Sequence, residues 1–104
     1  MSNRLDTLTR MWDADDTDAD IPYMIAQEHL AAGANESAIL WFDRCLALDP
    51  AYHYAWYHRA KALEAMERVD EALDTLRIGL DTARRDGNGQ ALNEIAAYID
   101  ELEP

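Results

Sequence analysis

Residues 26–46, AQEHLAAGANESAILWFDRCL, and residues 60–80, AKALEAMERVDEALDTLRIGL, lie on one another when the chain is shifted by 34 positions. Ala26, Ala31 and Ala38 fall on Ala60, Ala65 and Ala72, Glu36 falls on Asp70, and Ile39, Phe42 and Leu46 fall on Leu73, Leu76 and Leu80. A fixed period of this size marks stacked helix-turn-helix units, because one hairpin alone cannot bury its apolar face and needs a neighbour of like shape. Ala38 and Ala72 mark the close helix crossings of such a stack. The pattern predicts an all-α solenoid of two hairpins, an architecture for binding rather than for chemistry.

Around this echo the breakers fall where hairpins need them. The first unit is expected as a helix over 21–32, a turn at Gly33-Ala34-Asn35, and a helix over 36–48 closed by Asp49-Pro50. The second is expected as a helix over 52–66, a turn near Glu67-Arg68-Val69, and a helix over 70–85. Arg84 and Arg85 in its last turn complement the helix dipole, and Gly87 and Gly89 stop it. A last helix over 90–102 carries Leu92, Ile95, Ile99 and Leu102 on one stripe and polar residues on the other, as the end of a stack requires. At the other end, Leu5, Leu8 and Trp12 stand at helical spacing within 3–12, with Ser2 or Asn3 as cap and Asp6 in the first turn. The run from Asp13 to Asp20 repels itself and favours helix poorly, so it reads as a linker; Asp20 is expected to cap the next helix, with Pro22 in its first turn. The chain thus divides into an arm and acidic linker over 1–18 and a domain over 19–104, made of units 19–50 and 53–84 and a capping helix over 90–102.

The bulk composition narrows the function. The 104 residues suffice for one domain, and 49% apolar content with three Trp and five Tyr rules out wholesale disorder. Twenty-one acids against nine bases give a net charge of −12, a field that repels phosphate backbones and anionic lipid surfaces. Protein or peptide partners, basic or apolar, are expected; nucleic acid and membrane are not. The bases are eight Arg and the single Lys61, a balance that fits a salt-rich cytoplasm and fits a biased genomic base composition equally well. Met-Ser-Asn-Arg is not followed by an apolar run of secretory length, and no stretch approaches the roughly 18 apolar residues of a membrane span, so a cytoplasmic location is expected. Cys45, the one cysteine, falls on the apolar side of its helix and reads as a buried structural thiol.

With these residues in place, the chain resembles the tetratricopeptide repeat family over residues 19–84, with the last helix similar to that family's capping helix. In the first unit Ala38, Phe42 and Pro50 match the family pattern, Ile25 is near it, and Gly33 takes the place of its turn glycine; Pro22, Ala26 and His29 depart from it. In the second unit Trp56 and Ala72 match and Leu76 stands in for the aromatic, whereas Arg59 replaces a core Leu, Ala60 a Gly, Leu63 a Tyr and Arg84 a Pro. The resemblance implies a right-handed solenoid whose first helices line a concave groove for an extended peptide. The matching positions are Tyr23, Gln27, Tyr57, His58 and Lys61. A subclass of the family clamps a C-terminal carboxylate with Lys and Asn. Only Lys61 here suits such a clamp, so that mode is not expected.

An aromatic surface also follows from spacing alone. Tyr54, Tyr57, His58 and Lys61 make one stripe of their helix, and Trp56, Ala60 and Leu63 make another. Two stripes need two neighbours: if the Trp56 stripe packs in the core, the tyrosine stripe faces a groove or a partner, where amphipathic rings serve as anchors. Covering the N-terminal helix or the adjacent hairpin is the plainer use of those rings.

Chemistry finds little footing. Asp16, Asp18 and Asp20 echo the opening of a calcium loop, but Ile21 stands where Gly must turn and Gln27 where a bidentate Glu is required. His53 and His58 lie about 140° apart around a helix and do not converge on a metal; His29 falls on the core side and is expected as a hydrogen-bonded interior group. Cys45 lacks a local base, and no phosphate loop, serine elbow or paired CxxC occurs. No enzyme, metal or cofactor is expected. The sequence predicts a small interaction module that holds a peptide or partner helix with Tyr23, Gln27, Tyr54, Tyr57, His58 and Lys61. The alternative is a homodimer through the terminal helices. The arm is too short to be stable alone and must dock, on its own groove or on a neighbour's.

Overall fold

The computed structural model describes residues 3–104. They form six helices: α1 (Asn3–Ala14), α2 (Asp20–Ala31), α3 (Asn35–Leu48), α4 (His53–Ala65), α5 (Val69–Arg85) and α6 (Gly89–Leu102), with no strand among them. Each helix packs against the next, and α4 also touches both α2 and α6, so these three line up on one side of the stack with α4 between the other two. The two hairpins, α2–α3 and α4–α5, are the two copies of the sequence echo stacked as consecutive repeats. No described helix is long and apolar enough to cross a membrane.

The turns show why the hairpins close where they do. After α2, α4 and α5 the chain ends the helix in the same way: Ala34 N–H donates to His29 C=O (2.9 Å), Arg68 to Leu63 (2.9 Å) and Asn88 to Ala83 (3.0 Å). Such six-to-one bonds satisfy otherwise orphaned carbonyls and require one residue in the left-handed region. That residue is Gly33 (φ 76°), Glu67 (φ 61°) and Gly87 (φ 68°) in turn. Glu67 thus stands, one repeat on, where Gly33 stands in the first.

The acidic segment departs from expectation. Helix α1 runs through Asp13 to Ala14, leaving only 15–19 as connection. Asp20 is not the cap of α2: it lies inside the first turn, and Asp18 Oδ1 accepts the Asp20 N–H at 3.0 Å instead. Asp15 does the same for Thr17, accepting from its N–H (3.0 Å) and its hydroxyl. Two successive side-chain turns therefore shape the connection, and Asp20 is released to bond Tyr52. The Ser2 cap lies outside the described residues.

The core forms three connected clusters. Leu8, Ile21 and Ile25, with Leu5, Trp12, Met24 and Trp41 around them, seat α1 on the first hairpin. Ala26, Ala38, Phe42, Cys45, Leu46, Ala55 and Ala62 join that hairpin to α4. Ala60, Leu63, Ala72, Leu76, Ala83, Ala91, Ile95 and Tyr98 join α4 and α5 to α6. Ala26, Ala38, Ala60 and Ala72 are fully buried, as close crossings demand. A close crossing lies at Gly79, where an added Cβ would lie 2.7 Å from Trp56 Cβ. The arm docks on its own chain: Trp12 meets Trp41 edge-on at 5.8 Å, away from the tyrosines of α4.

Candidate partner surface on the first helices

The first helix of each unit brings the six sequence-predicted residues onto one layer. Tyr23 and Gln27 lie one turn apart on α2, and Tyr54, Tyr57, His58 and Lys61 share a stripe of α4. The two helices are tied side chain to side chain: His58 Nδ1 lies 3.2 Å from Tyr23 Oη, and Gln27 Nε2 donates to that same oxygen at 2.9 Å. His58 Nδ1 is also 2.9 Å from the Tyr54 carbonyl, which can only accept, so the ring proton sits on Nδ1. The Tyr23 oxygen then accepts twice, and neither the Tyr23 hydroxyl proton nor His58 Nε2 has a bonded partner among the described residues.

Burial tunes these groups. It holds the His58 pKa below the ordinary value of 6.5, against the raising effect of the Tyr54 carbonyl and with help from the Lys61 charge, so the ring is neutral at pH 7. It pushes the Tyr23 hydroxyl up to about 12 and raises those of Tyr52 and Tyr98 further, the carboxylates of Asp20 and Glu64 adding to the effect. His58 and the tyrosine hydroxyls are therefore neutral hydrogen-bonding groups on this surface at pH 7.

The rings themselves form a chain across the layer. Tyr23 lies tilted against Tyr52 at 4.8 Å and 5.9 Å from His58; His58 lies 5.2 Å from Tyr57, and Tyr57 lies 5.2 Å from Tyr98 of α6. Tyr54 meets Tyr57 edge-on at 6.3 Å. The Lys61 ammonium rests over two of these rings, 5.2 Å from the Tyr57 centroid and 4.8 Å from that of Tyr98. Sequence reasoning did not include Tyr52 and Tyr98. Tyr98 was within reach, since it shares a helical face with Ala91, Ile95 and Ile99, all buried. Tyr52 precedes α4, and no periodicity marks it.

The remaining candidates sit apart. Cys45 is fully buried, and burial, with Asp49 and Asp20 acting in the same direction, pushes its thiol up to about 12. It is an inert core thiol, as its position in the helix suggested. His29 is not interior: it is half-buried in the last turn of α2, where the hairpin opens to solvent, and its side chain makes no hydrogen bond among the described residues. His53 sits at the start of α4, its Nδ1 3.3 Å from Thr82 Oγ1 and its Nε2 3.3 Å from Asp86, far around the helix from His58. A cleft of about 440 Å³ opens between α3, α4 and α5, lined by Asp43, Trp56, Arg59, Arg68, Glu71, Asp74, Thr75 and Ile78. Its floor is Arg59, which donates to Asp43 (2.7 Å) and to the buried Thr75 hydroxyl (2.8 Å). That explains how an Arg is tolerated where the repeat pattern asks for Leu.

Stacked hairpins of this geometry, with aromatic and hydrogen-bonding side chains gathered on the first helix of each, define a helical-repeat interaction protein. The tetratricopeptide repeat profile matches residues 29–94, and the chain belongs to that family, whose domains are generally non-catalytic protein-interaction modules. Among solved structures, it is similar to a tetratricopeptide repeat domain protein from Salinibacter ruber: 32% identity, 86% of this chain and 90% of that one covered, TM-score 0.79. The same fold occurs in protein BPP2914 from Bordetella parapertussis, at 20% identity over 98% and 89% of the two chains with TM-score 0.85. It occurs again in the type III secretion translocator chaperone SycD of Yersinia enterocolitica, at 13% identity over 94% and 68% with TM-score 0.86. No curated protein matches the sequence.

Proposed function

We propose that this chain is a cytoplasmic adaptor that holds a peptide segment or a partner helix on the concave side of its first helices, with Tyr23, Gln27, Tyr54, Tyr57, His58 and Lys61 as contacts. The observation that carries the reading is the unspent bonding capacity in the middle of an aromatic surface. The Tyr23 proton and His58 Nε2 are a donor and an acceptor suited to a backbone N–H and C=O, between rings that offer apolar area. A layer of three helices makes a small interface, so the affinity is expected to be micromolar. Self-association through the terminal helices, the rival use of the fold, is separated from this one by the mass in solution.

The test is selection of binders from a random peptide library, followed by mapping of a selected peptide by amide chemical shifts. Shifts confined to α2, α4 and α6, with binding weakened by Tyr23→Phe and Tyr54→Ser, are the expected result. Shifts centred on the α3–α5 cleft, or binding indifferent to both substitutions, overturn the assignment.

A further inference from the structure

The charge around the rings is one-sided. Tyr52 donates its hydroxyl to Asp20 at 2.7 Å and Tyr98 donates to Glu64. Burial raises the Tyr54 hydroxyl pKa and the Glu94 carboxylate adds to that effect, as Glu101 does for Tyr98. Four carboxylates from α2, α4 and α6 thus edge the aromatic chain, and the cation among these groups is Lys61. With acids close by, Lys61 makes no ion pair among the described residues; its ammonium lies over the faces of Tyr57 and Tyr98 instead. The ring faces, negative at their centres, are holding a cation within the negative potential that the carboxylates supply.

We infer that this part of the surface is a cation-recognition subsite, made by Tyr57 and Tyr98 with Glu64, Glu94 and Glu101, for a partner segment that carries Arg or Lys. Lys61, counted above among the contacts, is in this finer reading the resident cation that the partner displaces. The inference rests on the groove reading above and gives it a partner chemistry. Displacement is physically easy, since Lys61 is exposed and swings on a flexible four-carbon stem. An incoming guanidinium is more weakly hydrated than the ammonium it replaces and lies flat on an aromatic ring while its edge reaches a carboxylate. An acidic partner meets the opposite situation: its carboxylates would approach Asp20, Glu64, Glu94 and Glu101 with Lys61 alone to answer them. The whole-chain charge of −12 favours the same partner at long range.

The test uses three labelled peptides of equal length and equal Leu and Tyr content, bearing Arg, Ser or Glu at the same positions. They are titrated into the full chain and followed by fluorescence anisotropy. The Arg peptide is expected to bind about ten-fold tighter than the Ser peptide, and the Glu peptide weakest, with the gaps shrinking as salt is raised. Lys61→Met, which keeps the stem and removes the competing charge, should tighten the Arg peptide by about three-fold, and Tyr57→Leu should weaken it by a similar factor or more. A Lys61→Met variant that binds the Arg peptide more weakly, or a Glu peptide that binds best, overturns the inference and makes Lys61 the recognising group. Arg binding unaffected by either substitution also overturns it, as mere attraction to an acidic protein. Equal binding of the Arg and Ser peptides, still lost in Tyr23→Phe, removes the cation subsite and leaves the groove. No tyrosine-dependent binding of any peptide removes both. If Tyr57→Leu does not fold, Lys61→Met decides the matter, because its side chain lies outside the core.

Discussion

Replacing Gly79 with Ala sets a local preference against a tertiary contact. In a helix interior Ala is favoured over Gly by about 1 kcal/mol, so α5 taken alone predicts stabilisation. The crossing predicts the reverse. The new Cβ would stand 2.7 Å from Trp56 Cβ and 3.2 Å from its Cγ, whereas carbon atoms sit comfortably at about 3.5–4.0 Å. The obstacle is a Cβ fixed to the α4 backbone and not the far end of a flexible side chain, so α4 and α5 must part by about 1 Å, loosening the packing around Ile95 as well. Overpacking of this kind costs about 1–3 kcal/mol, and a rigid neighbour puts the cost near the upper end, about 3. The net is a loss of about 2 kcal/mol, or about 8 °C in melting temperature for a domain of this size. Urea unfolding followed by far-ultraviolet circular dichroism gives the first figure and a thermal melt the second. A cycle with Trp56→Gly isolates the clash: in that background the obstructing Cβ is gone, and Gly79→Ala should become stabilising by about 1 kcal/mol. If Gly79→Ala stabilises the unsubstituted chain, or if its effect is the same in both backgrounds, the close crossing is refuted.

Glu67 holds φ 61° where Gly33 holds 76°, so Glu67→Gly relieves about 1–2 kcal/mol of left-handed strain and gives back about 0.5–1 in unfolded-state entropy. Urea titration should show a gain of about 0.5–1 kcal/mol, and a loss would mean the turn is not strained. His58 has its pKa lowered in the folded chain, so the unfolded chain binds its proton first; the neutral ring's contribution is complete above the unfolded value of 6.5 and is lost as the pH falls below it. Stability measured from pH 7 down to pH 5 should therefore decline, and less steeply in His58→Asn; equal slopes would remove His58 as the cause. The ion pairs Arg4–Glu28, Arg59–Asp43, Arg68–Glu71, Arg77–Asp74, Arg77–Glu103 and Arg85–Asp81 leave most of the 21 acids without an Arg or Lys partner among the described residues. Screening their mutual repulsion should raise the melting temperature as salt is added, and a flat or falling curve would show that they do not repel.

The hairpin stack was legible in the sequence because helix, turn and small-residue crossing are each local patterns, and a repeat writes them twice. Ala38 and Ala72 mark the crossings, Gly33 and Gly87 the left-handed turns, and Leu92 to Leu102 the closing stripe, each within one turn or one helix of its neighbours. The stripe of Tyr54, Tyr57, His58 and Lys61 was legible for the same reason, being a property of one helix. Where local reasoning failed, the deciding partner was distant in sequence. Asp20 was free to bond Tyr52, 32 positions on, because Asp18 had taken the α2 terminus. Tyr98 joined the surface because α6 lies beside α4, and Gly79 is a contact point because Trp56 lies across from it. Periodicity along the chain determines which face of each helix is apolar. The separation and angle at which two helices meet depend on every side chain between them, and only the packed structure decides which rings, charges and hydroxyls come within reach.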